Sequence, residues 1–130
     1  MVDNNLLNYA NTTDNSDIEL LDTNNCTGEN LGTISIIELR VYGNYTSGLN
    51  SANIILRPVF DGTSDGDNHT WSSVPTATGW SSWFNITGDT NAPSTWEWTN
   101  ITGLDCDVAA DATPSFNVAS YKIEIRVTYT

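Results

Sequence analysis

Tyr121-Lys122-Ile123-Glu124-Ile125-Arg126-Val127-Thr128-Tyr129-Thr130 decides the fold class of this 130-residue chain. Tyr121, Ile123, Ile125, Val127 and Tyr129 fall on one side of a strict period-two pattern, with Lys122, Glu124, Arg126 and Thr128 on the other. That is a β-strand with one dry face and one wet face. Its inward positions are β-branched or aromatic and neither Pro nor Gly interrupts it. It therefore belongs in an antiparallel sheet whose apolar face other strands must cover.

Working outward, the next strong run is Thr33 to Tyr42, where Ile37, Leu39 and Val41 oppose Glu38, Arg40 and Tyr42. Ile34 and Ile36 are out of step with that register, which predicts a β-bulge or bend near Ile36. Gly43 to Gly48 turns the chain and Ala52 to Phe60 returns it, with Pro58 predicting an edge position. Asp61 to Thr78 reads as loop with a short strand around Trp71. Beyond it, Trp80, Ser82, Phe84 and Ile86 alternate in a strand that puts Trp83 on the face opposite Trp80. Leu104, Cys106, Val108 and Ala110 alternate with Asp105 and Asp107 in another, and Asp17 to Asp22 is a short candidate. Seven to eight strands with no segment of helical period predict an all-β fold: a single antiparallel β-sandwich of jelly-roll type over residues 17–130. Residues 1–16 form a polar N-terminal arm, expected to lie along its own sheet or to add as a strand to a neighbouring copy.

Composition narrows the partners. Sixteen acidic residues against four basic ones, only one of them lysine, give a net charge of −12. That excess disfavours nucleic acid and anionic lipid as partners. No apolar run approaches the roughly 20 residues of a membrane span, so membrane insertion is not expected. The N-terminus has no basic region followed by an apolar stretch, so any leader is expected to have been removed or never to have existed.

Six Asn-x-Thr triplets begin at Asn11, Asn25, Asn44, Asn68, Asn85 and Asn100. Composition alone would supply roughly two, so covalent N-glycans are the preferred reading. The alternative is that a chain rich in Asn and Thr makes such triplets cheaply. Cys26 and Cys106 lack the spacing and histidine companions of a zinc site. A disulfide between them would close a loop of about 80 residues, worth ~4 kcal/mol in chain-entropy terms. The other reading is two buried thiols.

Five tryptophans invite a carbohydrate reading, in which Trp71, Trp83, Trp96 and Trp98 offer flat faces to sugar rings beside Asn, Asp and Thr. Core packing and subunit contact are the competing uses of the same residues. Asp61, Asp65 and Asp67 form a candidate calcium loop, although their spacing is not that of an EF-hand and no bidentate Glu follows. No other cofactor is implied. Catalysis is not expected: His69 is the only histidine, and Glu38 and Glu124 sit on solvent faces of amphipathic strands.

The runs Gly32 to Tyr42, Trp80 to Trp83, Trp96-Glu97-Trp98 with Ile101 and Leu104, and Tyr121 to Tyr129 together resemble uncharacterised jelly-roll modules. Such modules occur in surface proteins of archaea and bacteria and in structural proteins of their viruses. The likeness covers residues 32–130; it implies the fold and an exposed location, extracellular, cell-surface or virion, and transfers no catalytic motif. The expectation is a non-enzymatic structural subunit of a filament, surface layer, capsid decoration or fibre. It would form a homo-oligomer or polymer through sheet edges and the arm. A carbohydrate-binding module or lectin-like adhesin is the alternative.

Overall fold

The computed structural model describes residues 10–12, 18–21, 24–26, 28–46, 52–111 and 117–130. In chain order these carry β1 (Ala10–Thr12), β2 (Ile18–Leu21), β3 (Ile34–Thr46), β4 (Asn53–Phe60), β5 (Ser64–Asp65), β6 (His69–Trp71), β7 (Gly79–Trp80), β8 (Phe84–Asn85), α1 (Trp98–Thr102), β9 (Asp105–Asp111) and β10 (Asn117–Tyr129). The first sheet runs β1-β10-β3, with β7 and β8 following one another along the far edge of β3. The second runs β2-β9-β4, with β5 and β6 along the far edge of β4. Every pairing is antiparallel. Taking each broken edge as one strand, the order is first-eighth-third-sixth in one sheet and second-seventh-fourth-fifth in the other. This is the jelly-roll sandwich that the alternating strands predict.

Alternation builds the core between the sheets. Ile37, Leu39 and Val41 of β3, Leu56 of β4, Cys106 of β9 and Ile123 of β10 have no exposed surface, and Leu104 and Ile101 close one end. Each such aliphatic side chain contributes roughly 1.5–3 kcal/mol by burial. The dry face of β10 fades along its length. Ile123 is fully buried, Ile125 and Val127 are half-buried, and Tyr129 is 45% exposed, its ring in a T-shaped contact with Trp98.

Two irregularities shape the β3–β10 pair. Pairing steps from Ile36–Thr128 to Ile34–Tyr129, which leaves Ser35 over and supplies the break expected near Ile36. A second shift between Ser120 and Lys122 makes Tyr121 the extra residue and changes which parity of β10 points inward. Nearby, a Cβ on Gly43 would lie 2.4 Å from the carbonyl oxygen of Ala119, so only glycine permits this approach.

Three expectations are corrected. Pro58 is not on an edge, since β4 lies between β9 and the β5–β6 pair. It sits opposite the gap between those two short strands, its carbonyl accepting from Gly66 N–H at 2.8 Å, so an N–H there would have no strand to meet. The strand expected from Trp80 to Ile86 is two separate two-residue strands. Finally, where no helical period was expected, Trp98–Thr102 forms the five-residue α1, anchored by buried Trp98 and Ile101. Of the N-terminal arm, residues 10–12 pair with β10 of the same chain, and residues 1–9 and 13–16 lie outside the described residues.

Candidate functional site

The outer face of the first sheet holds the densest polar arrangement among the described residues. Register sets it: Lys122 stands opposite Tyr42, Glu124 opposite Arg40, and Arg126 opposite Glu38. On the other side of β3, Trp80 pairs with Tyr42 and Asn85 with Glu38. Rows of directly opposed residues on one face bring their Cβ atoms to about 5 Å. Three of the four basic residues of the chain are thereby gathered on this face.

Aromatic rings hold these cations. The Arg40 guanidinium carbon lies 4.0 Å from the Trp80 ring centre and 4.3 Å from that of Trp83. Arg126 is also 4.3 Å from Trp83, Lys122 Nζ is 5.7 Å from Trp80, and Tyr42 packs on Trp80 at 4.9 Å. Carboxylates complete the ladder. Glu124 accepts from Arg40 Nη2 at 2.6 Å and Lys122 Nζ at 2.9 Å, and Glu38 accepts from Arg126 Nε at 2.6 Å. The hydrogen bond from Arg126 holds the Glu38 carboxyl below its usual range and raises Arg126 in return. For Glu124, burial by itself would raise the carboxyl, yet hydrogen bonds from Lys122 and Arg40 together bring it below the usual range.

Trp80 and Trp83 thus share one face, contrary to the alternation of the sequence. The cause is Ser81, which turns inward between β7 and β8. Its N–H donates to the Val41 carbonyl at 2.9 Å and its Oγ accepts from Val41 N–H at 3.1 Å. That side-chain bond replaces a ladder bond, interrupts the strand and resets the parity for Trp83.

The structure does not bring the four expected sugar-contacting tryptophans together. Trp71 is half-buried on β6 of the second sheet, and Trp83 lies against the guanidinium groups. Trp96 and Trp98 are corrected to buried residues, only 9% and 8% exposed. Their indole N–H groups donate to Thr87 O at 3.0 Å and Gly32 O at 2.9 Å, and the Trp96 ring packs edge-on to Phe60. With Asn30, Thr95, Glu97 and Thr99, their edges line an open groove of about 630 Å³ at one end of the sandwich.

The sequons separate by environment. Asn25, Asn68 and Asn85 are exposed. Asn44 is 8% exposed, its Nδ2 donating to Thr76 O and its Oδ1 accepting from the Tyr121 hydroxyl, so expected glycosylation there is corrected to a packed amide. Asn100 is half-buried and accepts from Glu97 N–H at 2.8 Å in a capping box on α1. Asn11 lies in β1, with its side chain outside the described residues.

The candidate calcium ligands do not converge. Asp65 pairs with Arg57 at 3.2 Å, Asp67 accepts from Thr90 N–H at 3.2 Å, and Asp61 is exposed in a left-handed turn. Among the described residues no three acidic, histidine or cysteine side chains group as a metal site. Cys26 and Cys106 stand as free thiols rather than the expected bridge, both packed against the one core. Burial pushes Cys106 up to about 12 and raises Cys26 as well, so both favour the protonated, unreactive form.

One feature has no signature in the sequence, a clasp joining the sheets at their short-stranded edges. His69 Nε2 lies 2.8 Å from Asp89 Oδ2, which also accepts from Asp67 N–H at 3.3 Å, while Asn91 Nδ2 donates to Asp65 O at 3.0 Å. The partners are some twenty residues apart with no local pattern linking them. In comparisons with known proteins the chain matches no family model, no curated protein and no solved structure.

Proposed function

We propose that this chain is a non-enzymatic structural subunit of an exterior surface, extracellular or virion, whose copies associate through sheet edges and the N-terminal arm. The support comes from the outer edge of β10. That strand has 13 residues, and β1 pairs only with Val118 to Ser120. Among the described residues nothing pairs with Lys122 to Tyr129 on that side, an edge about 25 Å long. A long edge with unpaired backbone groups is a template for an added strand, with main-chain hydrogen bonds supplying affinity. Ala10 stands opposite Ser120 in antiparallel sense, which is the sense an added strand would take along this edge.

Sedimentation velocity of the full chain and of a variant lacking residues 1–9 tests this. The reading expects concentration-dependent species larger than a monomer for the full chain and their loss on deletion. A monomer at every concentration, indifferent to the deletion, would overturn it. Carbohydrate recognition is the second reading, favoured by the groove beside Trp96, Glu97 and Trp98. It expects a monomer whose tryptophan fluorescence changes on titration with a glycan.

A further inference from the structure

We propose that Asn85 is the principal N-glycan attachment site of this chain and that its first sugars rest on the outer face of the first sheet, against Trp83 and Arg126. This rests on the exterior reading above and deepens it.

Three observations single out Asn85 among the exposed sequons. It lies on β8 directly opposite Glu38, which lies opposite Arg126, so the three form one row across the face. Trp83, two residues earlier, stacks on Arg126, which leaves 47% of the Arg126 side chain exposed. The sequon backbone is also set: Asn85 Oδ1 accepts from Thr87 N–H at 2.9 Å, and Thr87 Oγ1 accepts from Ile37 N–H at 2.9 Å. Asn85 Nδ2 makes no hydrogen bond to a described residue. Asn25 and Asn68 are exposed without an aromatic ring two residues before them.

The chemistry of the seat suits a sugar. The C–H groups of a pyranose pack against an indole, and its hydroxyls accept from a guanidinium and donate to a carboxylate. Attachment forms a C–N bond between Asn85 Nδ2 and the anomeric carbon of an oligosaccharide carried on a polyprenyl diphosphate. The C–O bond to the diphosphate breaks, the amide gives up one proton, and the lipid diphosphate leaves with the electron pair. Nothing is oxidised or reduced. Since β8 lies on the side of β3 away from β10 and β1, the glycan sits at the broken edge of the sheet.

The test is glycopeptide mapping of the full chain produced in a host with an N-glycosylating secretory pathway. The expected result is occupancy at Asn85 several-fold above that at Asn25 and Asn68, as well as above that at Asn44 and Asn100; equal occupancy at Asn25 or Asn68 would overturn its primacy. Asn85 bare while Asn25 or Asn68 is modified would overturn the assignment and leave the exterior reading standing. All six sequons bare would remove the glycans from both. Seating is read from thermal melts of the glycosylated protein. Asn85→Gln should lower Tm by about 3 °C in the wild-type background and by under about 1 °C alongside Trp83→Ala, with Arg126→Ala as the second background. Equal losses in all backgrounds would overturn the seating.

Discussion

The two edges of the first sheet are built on opposite plans. On one side stands the 13-residue β10; on the other the chain meets β3 through the two-residue β7 and β8 and through isolated bonds such as Ile86 N–H to Ile37 O at 3.0 Å. At the broken edge, Ser81 takes over the hydrogen bonds of Val41, and Trp80 and Trp83 cover the outer face with Arg40 between them. Short, interrupted strands leave no template for pairing. Among the described residues, the sheet is thus broken into short strands on one side and carries no partner strand beyond Ser120 on the other.

The largest effect is expected where both edges share a core. Ile123, on the inner side of β10, is fully buried, and Ile123→Ala should cost about 2–5 kcal/mol in urea unfolding. A loss near zero would mean that β10 is held by its edges alone.

A smaller change separates the aromatic clamp from ordinary pairing. Arg40→Ala removes a guanidinium held between two indoles and bonded to Glu124, and should cost about 1–2 kcal/mol. Arg57 on the second sheet pairs with Asp107 and Asp65 without such rings, so Arg57→Ala should cost under about 1 kcal/mol. Equal costs in unfolding experiments would show that the rings add nothing.

The smallest effect is read by pH. Glu38 and Glu124 titrate lower in the folded chain than unfolded. Their contribution is therefore fully present above the ordinary Glu carboxyl value, about 4.3, and is lost as pH falls through the lowered folded values. Unfolding free energy measured from pH 7 to 3 should drop in that acid window, and Glu38→Gln should flatten the drop. An undiminished drop in the variant would assign it to other carboxylates.

Much of the sandwich is legible in the sequence because its strands are wetted on one face only. The alternation of Leu104 to Ala110 is a direct record of burial, and that of Tyr121 to Tyr129 marks the strand although only Ile123 of its dry face is fully buried. What escapes is whatever depends on a distant partner. Trp80, Ser82, Phe84 and Ile86 alternate perfectly on paper, and only the hydrogen bonds of Ser81 to Val41 break the period. Pro58 reads as an edge residue because the gap between β5 and β6 is not local to it. The candidate site is legible in parts: Glu38, Arg40, Lys122, Glu124 and Arg126 are visible as wet-face residues. Their pairing follows from register, and register depends on the bulge at Tyr121. Asn44 shows the same limit from the other side, a sequon whose amide is packed away by Tyr121 and Thr76.

In the assembly proposed above, the side of β10 that carries no strand beyond Ser120 among the described residues takes one from another copy. Amide hydrogen exchange resolved along Lys122 to Tyr129, followed from dilute to concentrated protein, tests it most directly. The alternate amides that face away from β3 should slow with concentration while those bonded to β3 stay constant. Exchange that is the same at every concentration for both sets would contradict the claim.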